Sequence, residues 1–245
     1  MTIETVRSHA RCRVLIVNDA AAPSSEVTDC LQRAGFEVAI TPDGTGALRL
    51  ARSTAPDVVV LDVVLPDIDG LWVCRELRSF SDAYVVLGSM CDSASSVIAG
   101  LTAGADDVVR LPWHAEELLA RIRAMLRRPR RHDGHAEADT GAGRGEVRVF
   151  GTLSIDVEAR RVVVGDEPVA LTRTEFDILA ALSARPAAVV SRHELLATVW
   201  GRSWAGEKNV IDVHIGHLRR KLEDDPAVPR FVVNVRGAGY RMGTG

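Results

Sequence analysis

Four polar residues stand at the carboxyl ends of short apolar segments in the first half of the chain. Asn18 and Asp19 follow VLIV, Asp62 closes VVVLD, and Ser89 closes VVLGS. If these segments are strands of one parallel sheet, their carboxyl ends meet at a single edge, where ligands of such sheets bind. These four residues are therefore expected to converge although they are distant in sequence.

Hydrophobic patterning predicts the elements that position these residues. Five apolar, strand-like segments alternate with amphipathic helical patterns, at residues 14–17, 37–40, 58–61, 84–87 and 108–111. Five β-α units of this kind predict a parallel sheet with helices on both faces, an α/β flavodoxin-like doubly wound fold. We assign this first domain to residues 13–127.

Composition and charge change after the first domain. Residues 128–146 are rich in glycine and charge and hold almost no large apolar side chains, so we interpret them as a flexible linker. Residues 1–126 hold 11 arginines and 17 acidic residues, a net charge of -6, whereas residues 147–245 hold 14 basic and 12 acidic residues, a net charge of +2. An acidic regulatory domain joined to a nucleic-acid-binding domain would show this asymmetry.

The last hundred residues are predicted to form a separate α+β domain. Thr172 with Glu175, and Ser191 with Glu194, match the capping box, in which a hydroxyl and a carboxylate satisfy free backbone N–H groups at a helix start. A third helical pattern follows, and glycines near residues 237–239 indicate a terminal hairpin. Short strands are predicted before the helices, at residues 147–149, 153–156, 161–164 and 168–170.

The segment from Asn209 to Leu222 is predicted to be a helix with two different faces. One stripe is apolar and would face the domain core, and it comprises Ile211, Ile215, Leu218 and Leu222. The opposite stripe is mostly short-chained and neutral, and it comprises Asn209, Val213, Gly216, His217 and Arg220. A basic cluster at residues 219–221 ends the segment. Cations there also complement the helix dipole, so this pattern by itself equally describes an ordinary solvated face.

The surrounding sequence resembles the winged-helix DNA-binding domain of the OmpR/PhoB family of bacterial response regulators. The similarity covers residues 147–243 and is carried by LTRTEFDILAAL, SRHELLATVWG, IDVHIGHLRRKLE and VNVRGAGYRM. It implies that the predicted helix enters the major groove of double-stranded promoter DNA, while the hairpin places Arg236 in the minor groove. It also implies base-facing positions for Asn209, Val213, Gly216 and His217, and phosphate-facing positions for Arg219, Arg220 and Tyr240.

The same resemblance implies further partners. Family members contact RNA polymerase through the loop that here carries Trp204, although an ordinary connector is the other interpretation of this loop. The resemblance also implies a homodimer on DNA. The charged residues Asp106, Asp107, Glu117, Arg121 and Arg123 suit the receiver contacts of such a dimer, but Ala99 replaces a basic partner, so we expect receiver dimerisation to be weak.

The first domain resembles the receiver domain of the same regulators, through VLIVND, VVVLDVVLPDIDG and GADDVVRLPW. The resemblance implies that Asp62 attacks a phosphodonor and forms an aspartyl phosphate, with Mg²⁺ held by Asp19, Asp62 and the carbonyl of Val64. In relatives, the hydroxyl at the position of Ser89 hydrogen-bonds the phosphoryl group and couples it to the signalling face.

Four residues depart from the receiver pattern around this site. Asn18 replaces one of the usual acids, Leu111 replaces a lysine, Val108 replaces an aromatic switch residue, and Met90 replaces a small residue. Residues 1–206 hold no lysine, and Arg110 should point to the opposite side of its strand from residue 111. Losing one charge-assisted contact forfeits roughly 1.5–3 kcal/mol, so we expect phosphorylation to be slow, unstable or poorly transmitted.

These observations predict a transcription regulator, not an enzyme, whose receiver is controlled partly or wholly without phosphorylation, by a small-molecule effector or a protein at the strand ends. A conventional regulator phosphorylated at Asp62 by a sensor kinase is the alternative. A Mg²⁺-dependent aspartyl-phosphate phosphatase is more remote, because Val64 stands where an acid would follow Asp62. A carboxyl-terminal domain that binds protein is another alternative. We expect a cytoplasmic protein with no membrane contact, since no apolar run approaches the roughly 18 residues of a span.

Overall fold

The computed structural model describes residues 12–19, 24–91, 93–126, 146–201 and 210–245. The first part of the chain alternates strands and helices. In chain order these are β1 (Arg13–Val17), α1 (Ser24–Arg33), β2 (Glu37–Thr41), α2 (Gly44–Thr54), β3 (Val58–Asp62), α3 (Gly70–Arg78), β4 (Tyr84–Ser89), α4 (Ala94–Thr102), β5 (Asp107–Arg110) and α5 (Ala115–Leu126).

The five strands form one parallel sheet in the order β2-β1-β3-β4-β5, which confirms the predicted doubly wound fold. The strand order reverses between β1 and β3, and this reversal opens a crevice at the carboxyl ends of the strands. Every residue of β3 is buried, as expected of a strand covered by helices on both faces. The last strand ends one residue earlier than predicted, because Pro112 has no N–H to continue the ladder after Leu111.

The second part is an α+β domain. Its elements are β6 (Val147–Phe150), β7 (Leu153–Asp156), β8 (Arg161–Val164), β9 (Glu167–Pro168), α6 (Arg173–Ser183), α7 (Arg192–Val199), α8 (Val210–Lys221), β10 (Val232–Val235) and β11 (Gly239–Met242). Strands β6 to β9 form an antiparallel sheet, and β10 pairs with β11 in the terminal hairpin. The fourth strand begins at Glu167 rather than Pro168, because the tight turn at Gly165 already places Glu167 opposite Val164.

The two predicted capping boxes differ in the structure. The first is complete, because the Thr172 hydroxyl accepts from the Glu175 N–H at 3.3 Å and the Glu175 carboxylate accepts from the Thr172 N–H at 2.7 Å. At the second, the Ser191 hydroxyl accepts from the Glu194 N–H at 3.1 Å, but the Glu194 carboxylate pairs with Arg185. One half of the second box is therefore replaced by an ion pair.

The two parts of the chain pack against each other. Helix α8 contacts α4, and buried apolar side chains of both parts belong to one continuous cluster. A second cluster fills the other side of the parallel sheet, between the sheet and helices α2 and α3. Within the described residues, no helix is long and apolar enough to cross a membrane.

Candidate functional site

The parallel sheet brings the predicted polar residues to its carboxyl edge. Asp62 ends β3 and is 7 % exposed, Asn18 follows β1 and is 2 % exposed, and Ser89 ends β4. Burial raises the pKa of Asp62 to about 6; the hydrogen bond from Trp113 opposes this shift, and the nearby negative charge of Asp19 adds to it. The two aspartates are therefore close enough to interact, as the topology predicts.

The donor set of this edge suits one magnesium ion held by few protein ligands. Mg²⁺ is commonly bound by one or two carboxylates, with water and substrate oxygens completing the octahedron. Asp19 and Asp62 supply two carboxylates, whereas Asn18 contributes a neutral amide whose buried Nδ2 has no hydrogen-bond partner among the described residues. In the part of the chain that the structure describes, no cluster of three or more His, Cys, Asp or Glu side chains could hold a metal.

Trp113 is a residue of this edge that the sequence patterns did not single out. Its indole Nε1 donates a hydrogen bond to Asp62 Oδ1 at 3.0 Å. The ring lies against β4 at Gly88, where a Cβ atom would overlap Cζ2 and Cη2 of the indole. The sequence signal that could have indicated this contact is a glycine at residue 88, next to Ser89, together with a tryptophan at residue 113, just after Leu111.

The remaining predicted switch residues lie around this edge without converging on Asp62. The Ser89 hydroxyl accepts from the Cys91 N–H and donates to its carbonyl, both at 3.2 Å. Met90 is exposed, and Leu111 is half-buried. Val108 is half-buried against Gly100 of α4, so the helix fills the space beside β5 that a larger switch residue would need.

Helix α8 carries most of the predicted DNA-facing residues. Gly216 and Arg220 are exposed, whereas Val213 and His217 are half-buried. A Cβ atom on Gly216 would meet nothing within 4 Å, so this side of the helix is open. Arg236 is exposed at the turn of the β10-β11 hairpin, where Gly237 adopts a φ of +75°. Asn209 and Trp204 lie outside the described residues.

Two predicted phosphate-facing residues, Arg219 and Tyr240, form hydrogen bonds within the domain, and their contact with DNA stays a prediction. The Arg219 guanidinium donates to the Val232 carbonyl at 3.1 and 2.6 Å. Tyr240 is buried, and its hydroxyl donates to Asp212 at 2.7 Å. Helical spacing placed Arg219 beside the outward stripe, but its long side chain turns back to the hairpin, where it joins α8 to β10.

Comparisons with known proteins identify both parts of the chain. Residues 14–123 match the response regulator receiver domain, and residues 166–242 match the carboxyl-terminal domain of transcriptional regulatory proteins. The response regulator MprA of Mycolicibacterium vanbaalenii is 44 % identical over 229 residues, which cover 93 % of this chain and 96 % of MprA. The chain is a DNA-binding response regulator of the OmpR/PhoB type.

Two solved structures are similar over almost the whole chain. DrrB, an OmpR/PhoB homologue of Thermotoga maritima, is 31 % identical with a TM-score of 0.50, covering 95 % of this chain and 99 % of DrrB. A mutant of RitR is 28 % identical with a TM-score of 0.74, covering 96 % of this chain and 100 % of that chain.

In this response regulator the helix that is predicted to face DNA, α8, is docked on the receiver. The carbonyl oxygen of Asp106, the residue before β5, accepts from Trp200 Nε1 at 3.3 Å and lies 3.4 Å from His214 Nε2. His214 is only 2 % exposed, and burial lowers its pKa to about 4, against the opposing effects of Asp106 and Glu175. The imidazole is therefore neutral at pH 7, and its Nε2–H tautomer can donate to the carbonyl.

A second set of contacts joins the start of α6 to the start of β4. Arg173 donates to both carboxylate oxygens of Asp82, at 3.0 and 3.2 Å. Its guanidinium lies 5.1 Å from the centre of the Tyr84 ring, and the Tyr84 hydroxyl donates to Asp177 at 3.2 Å. We call these contacts, together with those of Asp106, the docking interface.

The docking interface changes the interpretation of the predicted receiver-dimer residues. Asp106 and Asp107 are each 1 % exposed. The Asp106 carboxylate pairs with Arg78 and accepts from the Val85 N–H, and Asp107 pairs with Arg121 at 2.6 Å. Both aspartates therefore stabilise the receiver internally. Helix α4 packs against α8 of the same chain, so in this arrangement the two aspartates do not contact a second receiver.

Proposed function

We propose that this response regulator binds promoter DNA only after α8 leaves the receiver, and that phosphorylation of Asp62 is a weak input to this release. The docking of His214 and Trp200 on the Asp106 carbonyl is the observation that carries the proposal. Two elements of the DNA-binding domain reach one receiver atom, so the interface holds α8 in one orientation.

Docking competes with DNA because it uses a flank of the same helix. A helix that reads base edges enters a major groove about 12 Å wide, which leaves no room for a second domain along its side. Val213 and His217 are half-buried, and His217 lies beside the docked His214, with ring centres 6.3 Å apart. In the docked protein, Val213 and His217 of the predicted base-facing stripe are therefore only partly exposed.

The DNA-contacting set of the released protein is proposed on this basis. Val213, Gly216 and His217, preceded by Asn209, would face bases, while Arg220 would reach phosphate and Arg236 the minor groove. The protein would bind as a homodimer in the bacterial cytoplasm, where promoters are, and the loop with Trp204 would contact RNA polymerase.

The receiver edge is the proposed input site. Asp19, Asp62 and the Val64 carbonyl would hold Mg²⁺, which when bound neutralises phosphoryl oxygens as an anionic carboxylate approaches them. Leu111 provides no cation to balance a phosphoryl group, and within the described part of the chain the buried Asn18 Nδ2 has no hydrogen-bond partner. A sensor kinase would therefore act weakly here, and a small molecule or protein partner at this edge would supply the stronger signal.

Reversing one charge of the docking interface tests the proposal in the full chain. Asp82→Arg places a second cation beside Arg173 and should weaken docking. If docking weakens by about 1.4 kcal/mol, the affinity for the promoter should rise about tenfold. Adding Arg173→Asp restores opposite charges and should return the affinity to the wild-type value. Glu26→Arg makes an equal change of charge at an exposed position of α1 and is the matched control. Equal affinities for Asp82→Arg and Glu26→Arg would refute control by docking.

The weakness of the phosphate input has its own test. The wild type and Asp62→Asn are incubated with acetyl phosphate and Mg²⁺, and promoter affinity is measured beside intact mass. We expect little change in affinity. If the treatment raises wild-type affinity as far as Asp82→Arg does, and Asp62→Asn abolishes the effect, phosphorylation is the main input.

A further inference from the structure

Trp113 contacts Asp62, but it belongs neither to the docking interface nor to the proposed magnesium ligands. The indole reaches Asp62 from the segment after β5 and donates to Oδ1 at 3.0 Å. Gly88 admits the ring, because any side chain at residue 88 would overlap it. The indole and the carboxylate thus share the narrow space above the ends of β3 and β4.

The chemistry of this donor differs from that of a cation. An indole N–H is neutral, whereas the carboxylate that it contacts is anionic, and hydrogen bonds to charged groups contribute more than neutral ones. The bond favours Asp62 while it remains an anion. When Asp62 attacks a phosphodonor, its oxygen loses that charge, and a neutral donor offers no compensating charge to the arriving phosphoryl group.

We propose that Trp113 is a positioning residue that restrains Asp62 and slows its phosphorylation. The indole N–H holds Oδ1, and the ring occupies the space that a cationic side chain from residue 111 would need to reach the carboxylate. This inference rests on the proposed role of Asp62 as the phosphoacceptor, but it concerns the contact within this chain and not the release of DNA-binding helix α8.

The reaction that Trp113 restrains is balanced without another reactant. A carboxylate oxygen of Asp62 attacks the phosphorus of acetyl phosphate, the bond from phosphorus to the acetate oxygen breaks, and acetate leaves with the electron pair. No proton, oxidant or reductant is consumed. Because the nucleophile gives up its negative charge in this step, a hydrogen bond that stabilises the free carboxylate raises the barrier.

The first test observes the contact itself in the full-length protein. Tryptophan indole N–H signals are recorded by NMR in the wild type and in Asp62→Ala, with Trp113→Phe and Trp72→Phe providing assignments. Loss of the carboxylate should move the Trp113 signal upfield and leave the signal of Trp72, which is 45 % exposed on α3, in place. A Trp113 signal that does not move overturns the inference, whatever the DNA-binding variants show.

The second test measures the restraint. The initial rate at which acetyl phosphate with Mg²⁺ adds one phosphoryl mass is compared in four full-length variants: Trp113→Phe, Trp72→Phe, Leu111→Lys and Leu111→Lys with Trp113→Phe. We expect Trp113→Phe to react about tenfold faster than the wild type, as removal of about 1.4 kcal/mol from a barrier predicts, and Trp72→Phe to match the wild type. Leu111→Lys should accelerate the reaction only in the Trp113→Phe background.

Each outcome of the rate test decides the inference. A rate for Trp113→Phe that equals or falls below the wild-type rate shows that the indole does not restrain Asp62. Full acceleration by Leu111→Lys alone shows that the indole does not occupy the space of the cation. The docking proposal has a different test and fails if Asp82→Arg leaves the promoter affinity unchanged. The two proposals can therefore fail independently.

Discussion

His214 Nε2 lies 3.4 Å from the carbonyl oxygen of Asp106, and this contact joins helix α8 to the residue that precedes the last receiver strand. The imidazole is buried in the docked arrangement, and its Nδ1 has no hydrogen-bond partner among the described residues. A second proton on this ring would therefore be a buried charge held by few partners.

Acidification should release the docking interface. Burial lowers the pKa of His214 from 6.5 to about 4, so the docked state binds fewer protons than the released state. The free energy that favours docking is therefore largest above pH 6.5, and it decreases as the pH falls from 6.5 towards 4. At about pH 5.5 the loss is about 1.4 kcal/mol, a tenfold change in the docking equilibrium.

Small-angle X-ray scattering of the full chain measures this release as a larger radius of gyration at the lower pH. His214→Phe keeps an aromatic ring but cannot be protonated, so its radius should not depend on pH through this range. A wild type that expands no more than His214→Phe would show that His214 does not control docking.

Removing the partner of the buried Asp106 carboxylate should destabilise the receiver. Arg78 pairs with Asp106 and also donates to the carbonyl of Gly104 at 2.7 Å. Arg78→Leu leaves an unpaired buried charge, and we expect the free energy of unfolding to fall by about 3–5 kcal/mol, measured by urea denaturation. Arg75→Leu, an exposed position of the same helix, should change it by no more than about 0.5 kcal/mol. Equal effects of the two substitutions would contradict this prediction.

Gly216→Ala should stabilise the DNA-binding domain. Gly216 is exposed within α8, and a Cβ atom there would meet nothing within 4 Å. Alanine is favoured over glycine in a helix interior by about 1 kcal/mol, so the thermal midpoint should rise. A lower midpoint would show that α8 needs the glycine for a reason other than space. The same variant should bind promoter DNA differently, because the added methyl group lies on the proposed base-facing stripe.

Arg236→Ala should weaken DNA binding through an ionic contact. Measured in the Asp82→Arg background, its affinity should fall, and the dependence of log affinity on log salt should become shallower by about one unit. Arg161→Ala, an exposed arginine of β8, is the control and should leave both quantities unchanged. An unaltered salt dependence for Arg236→Ala would remove the hairpin from the DNA interface.

Much of the fold followed from local patterns. Apolar runs such as residues 58–61 are long enough to predict buried parallel strands, and Thr172 with Glu175 marks the start of α6 to the residue. The convergence of Asp19 and Asp62 also followed, because the carboxyl ends of neighbouring parallel strands must meet. Side-chain contacts did not follow: the resemblance implies phosphate-facing positions for Arg219 and Tyr240, and nothing in the sequence indicated that both also bond within the domain.

By itself, the sequence determined that a receiver and a DNA-binding domain occur in one chain, that an aspartate stands at the expected phosphorylation position, and that residue 111 is a leucine and not a lysine. Only the tertiary structure decided that Trp113 bonds to Asp62, 51 residues away, and that His214 meets Asp106, 108 residues away. Hydrophobic periodicity shows which face of a helix or strand is buried, but not which distant residue that face contacts. These contacts depend on how the elements pack against one another, which is set by the burial and hydrogen bonding of both domains together.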